Sequence, residues 1–465
     1  MRAEPNAAEL VQVDALGATG AYRARTRETI SDVAGSPVAQ ISLVPDAFVA
    51  RSLSALRRAV TLPAERRVEA LRRAGELFRS ATLLGLDVEE YQHLVSRVSG
   101  LGLSVVRAAI EKVADRCENA WENAQLARPT VAVADWRDPA AQEGAALWAR
   151  RGDVFGVHVA GNHPSVHAAW IEALALGYRV AVRPSRKEPF TPARLVAALR
   201  EAGFGDDQIV LLPTDHAVAD TMLRLADLSM VYGGDTVMQK YAADPDVYPQ
   251  GPGRSKILIA ADADWRSYVD LVADSASRSG GAGCTNTTAV LIEGDARGFA
   301  EALAEKLAML PSARPEQEHA ILPVQPVESA RAVEEFLRRV AADAEPIGES
   351  AGSLVDELGD GSAALRPAVH LLPSAGSPQA RVELGFPCVW VAPWTREDGA
   401  DALRDTLVLT VITRDGELID AIVSEPSIRN VYVGARPTYW SAPQVPHDGF
   451  LGDFLMESRG VVRSA

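Results

Sequence analysis

VFGVHVAGNHPSVHAAWIEALALGYRVAVRPS, residues 154–185, places two short apolar runs on either side of an amphipathic stretch. The outer runs have the length and β-branched content of strands, and PSVHAAWIEALAL between them carries apolar residues at helical spacing. The alternation continues through TPARLVAALREAGF, QIVLLP, VADTMLRLA and LSMVYGG. Repeated strand–helix–strand units of this spacing predict a mostly parallel sheet covered by helices on both faces. KILIAAD, DWRSYVDLVADSASRSG, TTAVLIEG and RGFAEALAEKLAML extend the pattern, which predicts a second α/β domain after about residue 280. Upstream, residues 53–126 read as an opening helical layer, and residues 343–367 are rich in Gly, Ser and acidic residues and read as loops.

The 465 residues exceed a single core, and 47% hydrophobic with 23% charged residues is ordinary globular composition. A formal charge of −15 would repel a phosphate backbone or an anionic bilayer, so neither nucleic acid nor membrane is an expected partner. MRAEPNAAEL lacks a signal-peptide pattern and no apolar run is long enough to span a bilayer, which predicts a cytoplasmic protein. Three cysteines, Cys117, Cys284 and Cys388, do not make a disulfide framework.

Cys284 lies in SRSGGAGCTNTT, a run of small residues between a helix pattern and a strand pattern. Small neighbours let another molecule approach the sulfur, and a thiolate so placed is a nucleophile, although the residues alone leave catalytic and structural readings equally open. Asn162 closes the strand VFGVHVA just before Pro164. Its amide can donate to a developing oxyanion, and in isolation the stronger reading is an N-cap. His158, His163 and His167 straddle a strand end and a helix start rather than one helix face, so no metal site is expected; His163 and His167 are candidates for the substrate entrance.

Taken in order, these motifs resemble the aldehyde dehydrogenase superfamily over nearly the whole chain. HVAGNHPS resembles the family's strand with its oxyanion asparagine, at Asn162. Arg183, Pro184, Ser185 and Arg186 resemble its lysine-proline-serine-glutamate segment, VYGG its cofactor turn at Gly233 and Gly234, and GGAGC its nucleophile loop at Cys284. Glu383 to Pro387 resemble its glutamate-x-phenylalanine-glycine-proline element, with glycine and phenylalanine exchanged. The resemblance implies an aldehyde-dehydrogenase-like α/β fold: two doubly wound α/β domains with a small β extension for oligomerisation. Its expected divisions are a helical layer of the cofactor domain at 1–130, an oligomerisation strand segment at 131–150, a Rossmann-like cofactor domain at 151–262, a catalytic domain at 263–427 and an oligomerisation arm at 428–465.

The implied chemistry is hydride transfer between NAD(P) and an acyl group carried on Cys284, with Asn162 and the Cys284 backbone N–H forming the oxyanion hole. Arg183, Ser185, Arg186, Gly233, Gly234 and Glu383 are the implied cofactor residues; Glu383 would bind the nicotinamide ribose, its other reading being a surface carboxylate. Arg186 and Lys187, where the family often has a ribose-binding glutamate, tilt the expectation from NAD toward NADP. Gln250 stands where hydrolytic members carry their general base, and an amide cannot take a proton. HVAGNHP and GPGRS also resemble the long-chain acyl reductases of bacterial bioluminescence. The expected function is therefore interconversion of an aldehyde and an acyl thioester, with coenzyme A or an acyl carrier protein as thiol partner. The alternatives are a hydrolytic dehydrogenase that releases a free acid and a silent assembly subunit. The terminal IRNVYVGA and PTYWSAPQVPHDGFLGDF predict a homodimer or homotetramer.

Overall fold

The computed structural model describes residues 10–463; the opening MRAEPNAAE, on which the signal-peptide expectation rests, and the last two residues lie outside the described residues. Two seven-stranded sheets organise the chain. The first runs Val247–Gln250, Leu228–Tyr232, Val154–His158, Arg179–Arg183, Ile209–Leu211, Ala15–Gly17, Gly20–Tyr22, its first five strands parallel and the last two an antiparallel hairpin on the edge.

Side chains alternate across these strands as the two-residue period requires. Phe155, Val157, Val180, Val182, Ile209 and Leu211 join one core with the helices Ala64–Ser80, Leu103–Glu118 and Phe190–Ala202. Val154, Ala181 and Val210 join a second core with Asp46–Arg58 and His216–Leu225. Helices therefore cover both faces, which is why the strands read as unbroken apolar runs. Burying a side chain of the size of Phe155 contributes roughly 1.5–3 kcal/mol, so a polar substitution there would be severe.

The second sheet runs Glu345–Pro346, Ala368–Leu371, Cys388–Pro393, Thr287–Ile292, Ser255–Ile259, Thr406–Ile412, Ile428–Val433, all parallel except its first member. Only residues 251–254 join the last first-sheet strand to Ser255–Ile259. A link that short forces the carboxyl end of one sheet to face the amino end of the other, and that junction holds Cys284.

The expected divisions need three corrections. Residues 11–42 form strands rather than a helical layer; most are three residues long and sit at sheet edges, too short to show a period. Ser255–Ile259 belongs to the second sheet, so the break falls at GPGR and not at 262; KILI looks the same from either side, and the change of sheet is made at Arg254, whose φ is +48°. Ile428–Val433 is an edge strand of the second sheet and not part of an arm. The chain then crosses back. Leu451 and Leu455 enter the first core, and Met456–Val461 pairs antiparallel with Ala145–Arg150, leaving most of its side chains exposed.

Candidate active site

Helix Val269–Ser277 is followed, after Arg278, by three residues of positive φ: Ser279 at 54°, Gly280 at 71° and Gly281 at 70°. Gly281 is required twice over, by its backbone conformation and because a Cβ there would lie 2.5 Å from the Pro387 nitrogen. The turn delivers Cys284 just before strand Thr287–Ile292. Asn286 ties the loop down, accepting from the Gly283 N–H at 2.8 Å and donating to Ser275 O and Arg278 O at 2.9 Å each. Below it, Ser255 Oγ donates to Cys284 O at 3.0 Å, and Gly253 packs so closely that a Cβ would fall 1.7 Å from that oxygen. The sulfur is thus presented by a braced loop.

His447 stands 3.1 Å from Cys284, Nε2 to Sγ. It rides on the segment that crosses from the second sheet to the first and is anchored to both: Asn430 Nδ2 donates to His447 O at 2.7 Å, and the Tyr248 hydroxyl donates to Asp448 O. Arg429 pairs with Asp448 at 3.2 Å. Burial, and then Glu383, push the Cys284 thiol up to about 12, with Lys112 opposing. The protein packed around His447, and then Lys112 and Arg116, lower its imidazole to about 4, although the residue as a whole is exposed. Both groups therefore rest neutral at pH 7, the S–H donating to the ring. Proton transfer across that contact would give thiolate and imidazolium, the pair that a cysteine nucleophile needs.

Asn162 reaches the same loop from the first sheet, where its Nδ2 donates to Ala282 O at 3.0 Å. That bond uses one of two amide hydrogens and leaves the other for a ligand oxygen. The N-cap expectation fails: His163 caps the turn Pro164–Ala168, its Nδ1 accepting from Ser165 N at 3.2 Å. His167 accepts from the Trp170 indole at 3.2 Å, and among the described residues no three His, Cys, Asp or Glu side chains gather as metal ligands.

Gly233 and Gly234 lie at the carboxyl end of Leu228–Tyr232, beside the end of Val154–His158. From Val154–His158 the chain builds outward through Arg179–Arg183 and Ile209–Leu211, then returns to place Leu228–Tyr232 on its other side. Such a switch point opens a crevice at the strand ends, where dinucleotides bind in open α/β sheets. Gly234 borders open space, and Arg254 Nε is a buried donor with no partner at this junction, so the crevice fits an anionic dinucleotide.

The other implied cofactor residues are less free. Arg183 is buried and spends Nε and Nη2 on Thr214, at 2.9 and 3.2 Å, so its evident work is bracing the strand end. Ser185 Oγ accepts from Lys187 N at 3.2 Å, and Arg186 pairs with Glu28 at 2.7 Å. Glu383 is not a surface carboxylate: it is half-buried, and its Oε2 accepts from Arg254 N at 2.7 Å. Arg254 in turn holds Asp235 at 2.5 Å. Gln250 is buried at the end of its strand, and its Nε2 has no partner.

Sequence reasoning missed His447, Asn286 and Ser255. All three stand inside quoted segments, His447 in the one read as an oligomerisation arm, and the roles of the last two are backbone hydrogen bonds that spacing does not reveal. His447 is 163 residues from Cys284, and only the fold brings them together.

The chain is similar to three solved structures that share its architecture. They are the aldehyde dehydrogenase KauB from Pseudomonas aeruginosa (17% identity, TM-score 0.82, 97% of this chain and 96% of that one), gamma-glutamyl-gamma-aminobutyraldehyde dehydrogenase from Burkholderia cenocepacia (18%, 0.82, 98% of each) and indole-3-acetaldehyde dehydrogenase complexed with NAD+ (19%, 0.81, 97% of each). The aldehyde dehydrogenase family profile matches residues 21–451. With that match over almost all of the sequence and the cysteine, asparagine and strand-end crevice gathered at one junction, the chain belongs to the aldehyde dehydrogenase family.

Proposed function

We propose that this protein is an NAD(P)-dependent oxidoreductase that interconverts an aldehyde and an acyl thioester through Cys284. His447 takes the thiol proton and the sulfur adds to the carbonyl carbon. The free Asn162 N–H and the Cys284 backbone N–H face the oxygen as it gains charge. A bound nicotinamide supplies the hydride acceptor, or the donor in the reverse direction. Cys284 is left acylated, and His447 can then deprotonate an incoming thiol of coenzyme A or an acyl carrier protein.

Gln250 carries this reading. An amide at that strand end can orient water but cannot accept its proton, which leaves the acyl-enzyme to a better nucleophile. One observation favours the hydrolytic reading instead: His447, beside the sulfur at 3.1 Å, could deprotonate water as well as a thiol. The deciding measurement is the product ratio from an aldehyde under saturating oxidised cofactor, with and without coenzyme A. Acyl thioester as the main product supports the proposal, and rapid free acid unaffected by thiol overturns it.

NADP remains the preferred cofactor in this reading, with Arg186 and the exposed Lys187 as phosphate ligands, although Glu28 must release or share Arg186. The exposed strand Met456–Val461 supports self-association as a homodimer or homotetramer. No helix among the described residues is long and apolar enough to cross a membrane.

A further inference from the structure

His447 is an exposed residue on a segment without helix or strand, yet its ring meets the sulfur of Cys284 at 3.1 Å. Among the described residues no hydrogen bond reaches its Nδ1, so no carboxylate turns the ring toward the sulfur. Its placement comes from the main chain. There His447 makes one hydrogen bond among the described residues: its carbonyl oxygen accepts from Asn430 Nδ2 at 2.7 Å.

Asn430 is buried on strand Ile428–Val433, in register with Val408 of Thr406–Ile412. Its amide nitrogen carries two hydrogens and spends both. The second goes to Leu407 O at 3.0 Å, and the Leu407 N–H in turn donates to Gly253 O at 2.8 Å. Gly253 lies directly beneath the nucleophile, where a Cβ would fall 1.7 Å from Cys284 O, and the Ser255 hydroxyl donates to that same oxygen at 3.0 Å. Leu407 also belongs to the small apolar cluster on which Cys284 packs.

One buried amide therefore ties the main chain of the base to the strand on which the nucleophile loop rests. A closed path of contacts runs from Cys284 to His447, Asn430, Leu407, Gly253 and back to Cys284. The first-sheet anchor acts one residue further on, where the Tyr248 hydroxyl donates to Asp448 O, and Arg429 holds the Asp448 carboxylate at 3.2 Å. Both leave the carbonyl of His447 to Asn430. Proton transfer needs the two atoms at hydrogen-bond distance, and a displacement of about 1 Å costs about 10²-fold in rate.

We propose that Asn430 is a positioning residue for the thiol chemistry: by holding His447 O and Leu407 O on one amide, it sets the distance across which the S–H bond breaks. The electron pair stays on sulfur and the proton goes to His447 Nε2. This rests on the base role of His447 proposed above and assigns what keeps that base in reach.

The test is a double-mutant cycle on the full chain, read by iodoacetamide alkylation of Cys284 across pH, with occupancy followed by peptide mapping. Asn430→Ala should slow alkylation at neutral pH by about 100-fold and turn a flat profile into one that climbs with pH as free thiolate forms. In a His447→Ala background the same substitution should change the rate by less than about twofold, because the ring it positions is gone. Lys112, Arg116 and Glu383, the charged groups that bear on the pair, and Asp448 with Arg429 are the same in every variant, so a changed profile reports the placement of the histidine. Equal slowing in both backgrounds would make Asn430 a support of the fold alone and overturn the proposal. A parent-like rate and profile in Asn430→Ala overturns it as well, and leaves the base role standing if His447→Ala alone is slow. If His447→Ala alone matches the parent, the base role falls and the proposal with it. Asn430→Leu guards against a failure of Asn430→Ala to fold: it fills the same space without either N–H and should show the same dependence on His447.

Discussion

Replacing His447 by alanine tests how the nucleophile is made. A thiol raised to about 12 leaves about one sulfur in 10⁵ ionised at pH 7, too few for useful chemistry without a base. His447 is the base within hydrogen-bond reach, and general-base assistance is worth about 10²- to 10⁴-fold. His447→Ala should therefore slow acylation of Cys284 by about that factor, while binding of NAD(P) along the first-sheet strand ends should be largely retained. The pH dependence has a definite sign. The imidazole, lowered to about 4, is neutral and competent from about pH 5 upward, so parent alkylation by iodoacetamide should be nearly flat across neutrality. Without the ring the rate should rise roughly tenfold per pH unit through pH 9, following free thiolate. The assay is timed iodoacetamide labelling from pH 5 to 10, with Cys284 occupancy read by peptide mapping. A variant whose rate and profile match the parent would refute the role of His447. His447→Gln, which keeps the bulk without the base, guards against a packing artefact.

The remaining predictions are more local. Gln250→Glu should raise free-acid release from an aldehyde by about 10²- to 10⁴-fold and remove the advantage of added thiol; an unchanged product ratio would show that another group activates water. Glu28→Gln should free Arg186 from its 2.7 Å ion pair and shift relative kcat/KM toward NADP, with Arg186→Ala shifting it toward NAD; a constant ratio in both would remove Arg186 from cofactor choice. Lys256 is fully buried among Arg254 O, Arg404 O and the Thr406 hydroxyl, and burial, then Arg381 and Arg254, lower its ammonium from 10.5 to about 7. Between those values the unfolded chain holds the extra proton, so stability should rise with pH across about 7 to 10.5. Urea midpoints of the parent should gain on those of Lys256→Met over that window, and a pH-independent difference would refute the linkage.

The legible parts of this molecule are those in which one residue's chemistry is local. Strands such as Arg179–Arg183 are buried at all five positions, so the short apolar run Val180, Ala181, Val182 already carries the signal. Cys284 and Asn162 each sit in a short motif that singles them out, but the residues alone leave Cys284 open between two roles and favour an N-cap for Asn162; the fold brings Asn162 onto the Cys284 loop through Ala282 O. His447 is the opposite case. Its segment, SAPQVPHDGF, has no period, and its position comes from Asn430 on one sheet and Tyr248 on the other, two bonds that exist only after both sheets have formed. The same reason hides Arg186–Glu28, a pair that joins the loop after Arg179–Arg183 to a strand 158 residues earlier. Arg183 shows the limit of motif transfer: its segment resembles one in which the family carries a lysine, yet here the guanidinium is turned onto Thr214. A guanidinium is longer than the ammonium it replaces and carries donors in a planar fork, so it can satisfy itself on protein oxygens that a lysine would leave untouched. Motif identity thus fixes where a backbone goes, and the side chain's own geometry decides whether it still faces the ligand.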